Sequence, residues 1–172
     1  MQSYNIPATV DEALEIAQTC EGRYQYLAGG TDVQIHRLQG HANASHLIDL
    51  SDITELHDIV REGDTLHIGS MVTLAELAAS PHIASQVPLI VDAANAVATP
   101  VIRKTATLGG NLLVENRCVY YDQSEEWRTA MGACLRDRGD VCLVTGSKPN
   151  CYSRNVSDLA PALIALDAAV II

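Results

Sequence analysis

Four of the five cysteines of this 172-residue chain, Cys118, Cys134, Cys142 and Cys151, lie within 34 residues at the spacing C-x15-C-x7-C-x8-C. Four thiolates are the usual complement of a tetrahedral zinc site and also of an iron–sulfur cluster. Structural zinc sites usually draw on close C-x2–4-C pairs, and none occurs here. Long intervals suit a loop wrapped around a larger buried object. On these residues alone an iron–sulfur cluster, zinc and unligated thiols all stay open. Cys20 stands apart, on an expected helix, and reads as a plain buried residue. Four of the chain's seven aromatic side chains (Tyr120, Tyr121, Trp127, Tyr152) share the cysteine stretch. Large rings there could exclude water from a centre.

Other chemistry is thinly represented. His36, His41, His46, His57, His67 and His82 are scattered, with no H-E-x-x-H and no Cys–His or Ser–His–Asp arrangement. They read as surface or core residues, and Glu125-Glu126 as a solvated pair. No catalytic residue is assigned, which suits a protein whose chemistry belongs to cofactors. Residues 1–102 hold three basic and thirteen acidic side chains and account for the net charge of −10, whereas residues 103–172 hold eight of each. Phosphate contacts need clustered Lys and Arg, so this front half argues against nucleic acid. Basic side chains near the cysteines could offset the charge of thiolates around a metal.

Two glycine turns could hold an anion. Leu27-Ala28-Gly29-Gly30-Thr31-Asp32 sits where a strand hands over to a helix, and Thr107-Leu108-Gly109-Gly110-Asn111 precedes the cysteines. Glycines allow close backbone approach, and amides at a helix start favour an anion such as a pyrophosphate. Either turn alone reads as an ordinary tight turn. Neither is a G-x-G-x-x-G or a G-x-x-x-x-G-K-[ST] motif.

The elements that must position these residues follow from caps and breaks. Thr9 to Glu12 reads as a capping box opening a helix to about Cys20, with Ala13, Leu14, Ile16 and Ala17 inward. Tyr24 to Ala28 is a strand candidate. A helix from Thr31-Asp32 to about Leu38 is closed by Gly40, and Leu47 to Leu50 is a second strand, giving β–α–β. Residues 58–62 and 65–69 flank Gly63-Asp64 as a hairpin. Thr73 to Glu76 is a second capping box, for a helix through Ala79. Pro88 starts a helix to about Val97. The cysteine stretch lacks periodicity. Asp158 caps a helix through Leu166, and residues 168–172 carry a strand signal.

Together, A-G-G-T-D at residues 28–32, T-L-G-G-N at 107–111 and S-D-L at 157–159 resemble the FAD-binding subunit or domain of the molybdenum hydroxylase (xanthine dehydrogenase) family. The resemblance runs from about Tyr4 to Ile172. It implies an α+β fold, a PCMH-type, CO dehydrogenase flavoprotein-like domain of two small α/β lobes with an irregular cysteine-bearing insert. The first lobe is expected at 1–50 and the second at 51–172, with the insert at 115–155. A further C-terminal flavoprotein domain is expected outside this sequence, so the chain reads as part of a longer subunit. By matching motif, Tyr26, Leu27, Ala28, Gly29, Gly30, Thr31, Asp32 and Val33 form the first FAD loop. Thr107, Gly109, Gly110 and Asn111 form the second, and Asp158 helps hold the flavin end. Val97 is placed near FAD by spacing alone.

Within that family, the segment Glu115-Asn116-Arg117-Cys118-Val119-Tyr120-Tyr121-Asp122-Gln123-Ser124-Glu125-Glu126-Trp127-Arg128 is similar to the insert opening C-x-Y-Y/F-[ND]-Q-S-E-x-W-R of the 4-hydroxybenzoyl-CoA reductase β subunits. The resemblance implies a [4Fe–4S] cluster on Cys118, Cys134, Cys142 and Cys151, a [2Fe–2S] small subunit and a molybdopterin large subunit as partners, and a ferredoxin-like donor. Other flavin subunits of the family, acting with different substrates, share the two loops. A zinc-stabilised, non-enzymatic module is the reading from a different class. No apolar run approaches the ~18 residues of a membrane helix, and Met1 to Pro7 has no basic or apolar leader region. A cytoplasmic location, with thiols kept reduced, is expected.

Overall fold

The computed structural model describes residues 3–41 and 44–171. The chain divides into two compact units. One comprises residues 1–31, 44–113 and 157–172, the other residues 32–43 and 114–156.

The first unit opens with a parallel three-stranded sheet. Its strands are β1 (Ser3–Asn5), β2 (Tyr24–Leu27) and β3 (His46–Asp49), in the order β1-β3-β2. β1 carries no sequence signal of its own beyond three residues, and it forms by pairing with β3. Helix α1 (Val10–Thr19) crosses from β1 to β2. Its Thr9 hydroxyl accepts from the Glu12 amide, while Glu12 reaches one residue further back than expected, to the Ala8 amide. Ala13 and Ala17 pack against Ile48 and Ile53, but Leu14, expected inward, is exposed. At the carboxyl end of the sheet the Tyr4 hydroxyl donates to Asp49, whose other oxygen accepts from the Ser51 amide. That end, where β2 runs into the first glycine loop, is where open α/β sheets place ligands.

A second apolar cluster in this unit gathers Val72, Leu74, Leu77, Ile83, Ile90, Ala94, Val97, Ala106, Leu108 and Leu159. It is enclosed by the hairpin β4 (Ile59–Glu62) and β5 (Thr65–Ile68) and by a run of short helices: α3 (Leu74–Ala79), α4 (Pro81–Gln86), α5 (Pro88–Ala96), α6 (Pro100–Arg103) and α7 (Leu108–Leu112). α3 has the full reciprocal capping box of Thr73 and Glu76. α4 and α6 were not anticipated, although Ser80-Pro81 and Thr99-Pro100 supply an N-cap hydroxyl followed by a proline at the first helical position. The strand expected at residues 168–172 is not formed over 168–171, and Ile172 lies outside the described residues. Val170 and Ile171 are exposed there, and a strand without a partner has nothing to pair with.

The second unit contains α2 (Val33–Leu38) and α8 (Glu125–Met131). α8 falls inside the stretch that lacked periodicity. It is nucleated by the Ser124 hydroxyl accepting from the Trp127 amide and ended by Gly132 at φ 94°. Residues 114–156 are otherwise irregular and are closed by an antiparallel bridge between Arg117 and Arg154. No helix among the described residues is long and apolar enough to cross a membrane.

Candidate cofactor sites

The first glycine loop is open to a ligand. Tyr26 is partly exposed at the end of β2, its ring edge-on to Tyr24 at 5.3 Å, while Leu27 is buried. Gly30 turns the chain at φ +70°. The backbone amides of Gly29, Gly30 and Thr31 have no acceptor among the described residues. Successive unpaired amides in a tight turn form a concave donor surface for an anion. Asp32 and Val33, which complete the expected loop, begin the second unit.

The second turn is built differently. Its amides are already engaged: Leu108 donates to the Val72 carbonyl, Gly109 to Ser70, Gly110 to the Thr107 hydroxyl and Asn111 to the Thr107 carbonyl. Thr107 is buried and caps α7 rather than facing solvent. This turn is therefore a scaffold, and the amides without an acceptor among the described residues lie in the first. The two meet directly. A Cβ on Gly29 would lie 1.8 Å from the Thr105 carbonyl oxygen, and one on Gly110 would lie 3.9 Å from the Ala28 Cβ. Gly29 is thus required by the protein's own backbone, a reason the sequence reading did not contain. A Cβ on Gly109 would likewise lie 2.8 Å from the Ser70 Cβ.

Asn111 joins the third motif to the second. Its Oδ1 accepts from the Ser157 hydroxyl at 2.8 Å and from the Leu159 amide at 3.1 Å. Helix α9 (Leu159–Ala165) starts there, and Asp158 at its N-cap position makes no capping bond. Asp158 is exposed, beside the paired turns. Val97 lies elsewhere in character: its side chain belongs to the apolar cluster and its carbonyl accepts from Arg103 at 2.6 Å. The following residue, Ala98, is held at φ 42°.

The cysteines lie together in the second unit as free thiols. Among the described residues no three Cys, His, Asp or Glu side chains are gathered onto a single-ion site. Backbone contacts nevertheless close the segments between them. Leu135 donates to the Val141 carbonyl, with Cys134 and Cys142 flanking that contact. The Arg117–Arg154 bridge places Cys118 beside one end of the loop and Cys151 three residues from the other. The Cys118 and Cys134 carbonyls each accept from an amide three residues on, and that of Cys142 from one four residues on. Cys142 is buried, and its thiol is lowered to about 7 by the Thr145 hydroxyl first, then by the amides of Tyr152, Thr145 and Val144. In its chemistry this donor set fits a thiolate-ligated cluster.

Sequence reading missed the polar network of this unit. Arg117 donates from Nη2 to Asp32 at 2.7 Å and from Nη1 to His36 Nε2 at 3.1 Å. Arg128, buried at 6% exposure, pairs with Asp137 at 3.0 Å and donates to the carbonyls of Gln39 and Gln123 and to His41 Nε2. Burial, then Arg128 and His36, push His41 below its ordinary value, so it stays neutral and accepts. Tyr121 packs on His41 at 4.2 Å, with Arg136 over its ring at 4.0 Å. His36 and His41 were read as fillers. Nothing in their spacing reveals arginines more than eighty residues away.

The sequence model of the family described as "FAD binding domain in molybdopterin dehydrogenase" matches residues 1–172. Among curated proteins, the carbon monoxide dehydrogenase medium chain of Hydrogenophaga pseudoflava is 34% identical over 109 residues, 63% of this chain and 38% of the relative. The aldehyde oxidoreductase FAD-binding subunit PaoB of Escherichia coli (strain K12) is 30% identical over 171 residues, 96% of this chain and 52% of the relative. Among solved structures, the carbon monoxide dehydrogenase of Hydrogenophaga pseudoflava lacking the Mo-pyranopterin moiety superposes with a TM-score of 0.63 at 33% identity, covering 64% of this chain and 39% of the other. The chain thus spans between about two fifths and one half of the length of these relatives. With the two glycine turns packed together and Asn111 tying in the third motif, the chain belongs to the family of FAD-binding domains of molybdopterin dehydrogenases.

Proposed function

We propose that this chain is the FAD- and [4Fe–4S]-binding part of an electron-transfer subunit of a molybdenum hydroxylase-family oxidoreductase, of the 4-hydroxybenzoyl-CoA reductase kind. The observation that carries the flavin half is the convergence of residues 28–31, 107–111 and 157–159 in one unit, with the amides of Gly29, Gly30 and Thr31 lacking an acceptor among the described residues, beside the Thr107–Asn111 scaffold. Residues 26–33 would cradle the pyrophosphate, and Asp158 would face the flavin end. Cys118, Cys134, Cys142 and Cys151 would ligate the cluster. Four free thiols carried by one compact unit support that half. When bound, the two cofactors accept and release electrons. The chain's own residues hold them, shield them and set their surroundings. Partners on this reading are a [2Fe–2S] small subunit, a molybdopterin large subunit and a ferredoxin-like donor, in the cytoplasm. Substrate does not touch this chain.

A second reading of the same class has its own support. The match to the aldehyde oxidoreductase subunit runs through the cysteine segment. On that reading FAD is shared and the substrate differs, and the large subunit's identity separates the two.

The test is the visible spectrum of the chain reconstituted anaerobically with FAD, iron and sulfide. Flavin bands plus a broad iron–sulfur absorption are expected, and Cys134→Ser should abolish the latter. A colourless protein holding zinc, or iron and sulfide content unchanged by Cys134→Ser, overturns the assignment.

A further inference from the structure

We propose that Lys104 supplies the positive charge for the FAD pyrophosphate, as the counter-ion beside the first glycine loop. The inference rests on the reading that the amides of Gly29, Gly30 and Thr31 receive that pyrophosphate.

The first unit is a poor host for an anion. Residues 1–31, 44–113 and 157–172 hold four basic and fourteen acidic side chains, so this unit carries the whole formal charge of −10. Backbone amides bring only partial charges to a dianionic diphosphate. Carboxylates farther away than about 8 Å are largely screened in physiological salt, so one cation at contact range outweighs them.

Three of the four cations are committed elsewhere. Arg23 lies 3.7 Å from Glu21. Arg61 lies 4.0 Å from Asp64 and donates to the Gly63 carbonyl. Arg103 donates to the Val97 and Ala98 carbonyls at 2.6 and 3.3 Å. Lys104 is exposed and, among the described residues, pairs with no carboxylate. A lysine at a helix end ordinarily serves the last carbonyls. At the end of α6 the Val101 carbonyl already accepts from the Lys104 amide, and that of Ile102 from the amides of Thr105 and Ala106.

Lys104 also stands next to the one backbone contact that locates it against the loop. The carbonyl oxygen and carbon of Thr105 lie 1.8 and 2.5 Å from where a Gly29 Cβ would stand. Consecutive Cα atoms are about 3.8 Å apart, so the lysine's flexible four-carbon stem starts one residue from that contact and is long enough to reach the Gly29–Thr31 amides. Its ammonium donates to a phosphate oxygen that the amides leave unpaired. Lys104, Gly29, Gly30 and Thr31 all belong to the first unit.

The experiment titrates FAD against the full chain by flavin fluorescence, in the wild type, Lys104→Met, Lys104→Arg and Arg61→Met. Lys104→Met should bind FAD about 10-fold more weakly, the loss of one charge-assisted bond. Lys104→Arg keeps the charge and should stay within about threefold of the wild type. Arg61→Met removes the same charge from the hairpin and should change affinity by less than about twofold. Added salt should weaken binding more steeply in the wild type than in Lys104→Met, because only the wild type has the ion pair to screen; a residue with a merely structural role would not alter that slope. Lys104→Gln carries the test should the Met variant fold poorly. Wild-type affinity in Lys104→Met, an equal loss in Arg61→Met, a Lys104→Arg protein as weak as Lys104→Met, or equal salt slopes overturns the proposal. A wild type that binds no FAD overturns the flavin reading itself, and the proposal with it.

Discussion

Replacing Gly29 with alanine tests whether the two glycine motifs really form one site. The new Cβ would lie 1.8 Å from the Thr105 carbonyl oxygen and 2.5 Å from its carbon. An ordinary contact begins near 3.4 Å, so the two backbones must part by about 1.6 Å. Neither side is a flexible side-chain end that can swing away. The moving strand carries the Ala106 carbonyl, which accepts from Leu74, and the Leu108 amide, which donates to Val72. Losing one or two such bonds and repacking the contact costs about 2–4 kcal/mol. For a chain of this size that is a fall of roughly 5–15 °C in Tm. Displaced amides also lose charge-assisted bonds to a pyrophosphate, each about 1.5–3 kcal/mol, so FAD should bind roughly 10–100-fold more weakly. Gly22→Ala is the control. Gly22 has φ +75° but nothing within 4 Å of an added Cβ. It should cost about 1–2 kcal/mol from backbone strain alone and leave FAD affinity unchanged. Thermal unfolding by circular dichroism and flavin titration give both readouts. If Gly29→Ala melts and binds FAD as the wild type does, the close approach is wrong and so is the joined site.

Two further outcomes follow from the same geometry. Asn111→Ala removes the acceptor that the Leu159 amide uses at the buried start of α9 and should destabilise by about 1–3 kcal/mol. Asn111→Asp keeps an acceptor for both donors, so its Tm should stay near wild type while its added charge weakens FAD binding; equal Tm for the two variants would refute the pinning role. Acid should loosen the second unit. His41 is held below its ordinary value of 6.5, chiefly by burial and then by Arg128, so the unfolded chain takes the proton first. Its contribution is full above about pH 6.5 and is lost as pH falls toward the depressed folded value. Protonation also turns Nε2 from acceptor to donor against Arg128. Hydrogen exchange at α8 should accelerate over that window, and an unchanged rate in His41→Gln at low and neutral pH is the matching expectation.

Much of the local structure was legible because its causes are local. The caps at Thr9 and Thr73, the end of the first helix near Cys20 and the hairpin around Gly63 each depend on a few neighbouring residues. Helix α8 was missed because Ser124 and two acids carry its start while no apolar period follows. β1 was missed because three residues become a strand only when β3 lies beside them.

The site divides the same way. Residue types and spacing alone set out four thiols, two glycine turns and an S-D-L segment. They pointed to a protein whose chemistry belongs to cofactors, assigned no catalytic side chain, and by resemblance implied a flavin. Tertiary structure decided which backbone does what. It assigned the open amides to the first turn and spent those of the second on scaffolding. It made Asn111 a joint and paired Arg117 with Asp32 across 85 positions of sequence. The physical reason is that a cap or turn is satisfied by atoms a few residues away. A close approach, a buried ion pair or a neutral histidine depends on partners whose distance in sequence carries no signal.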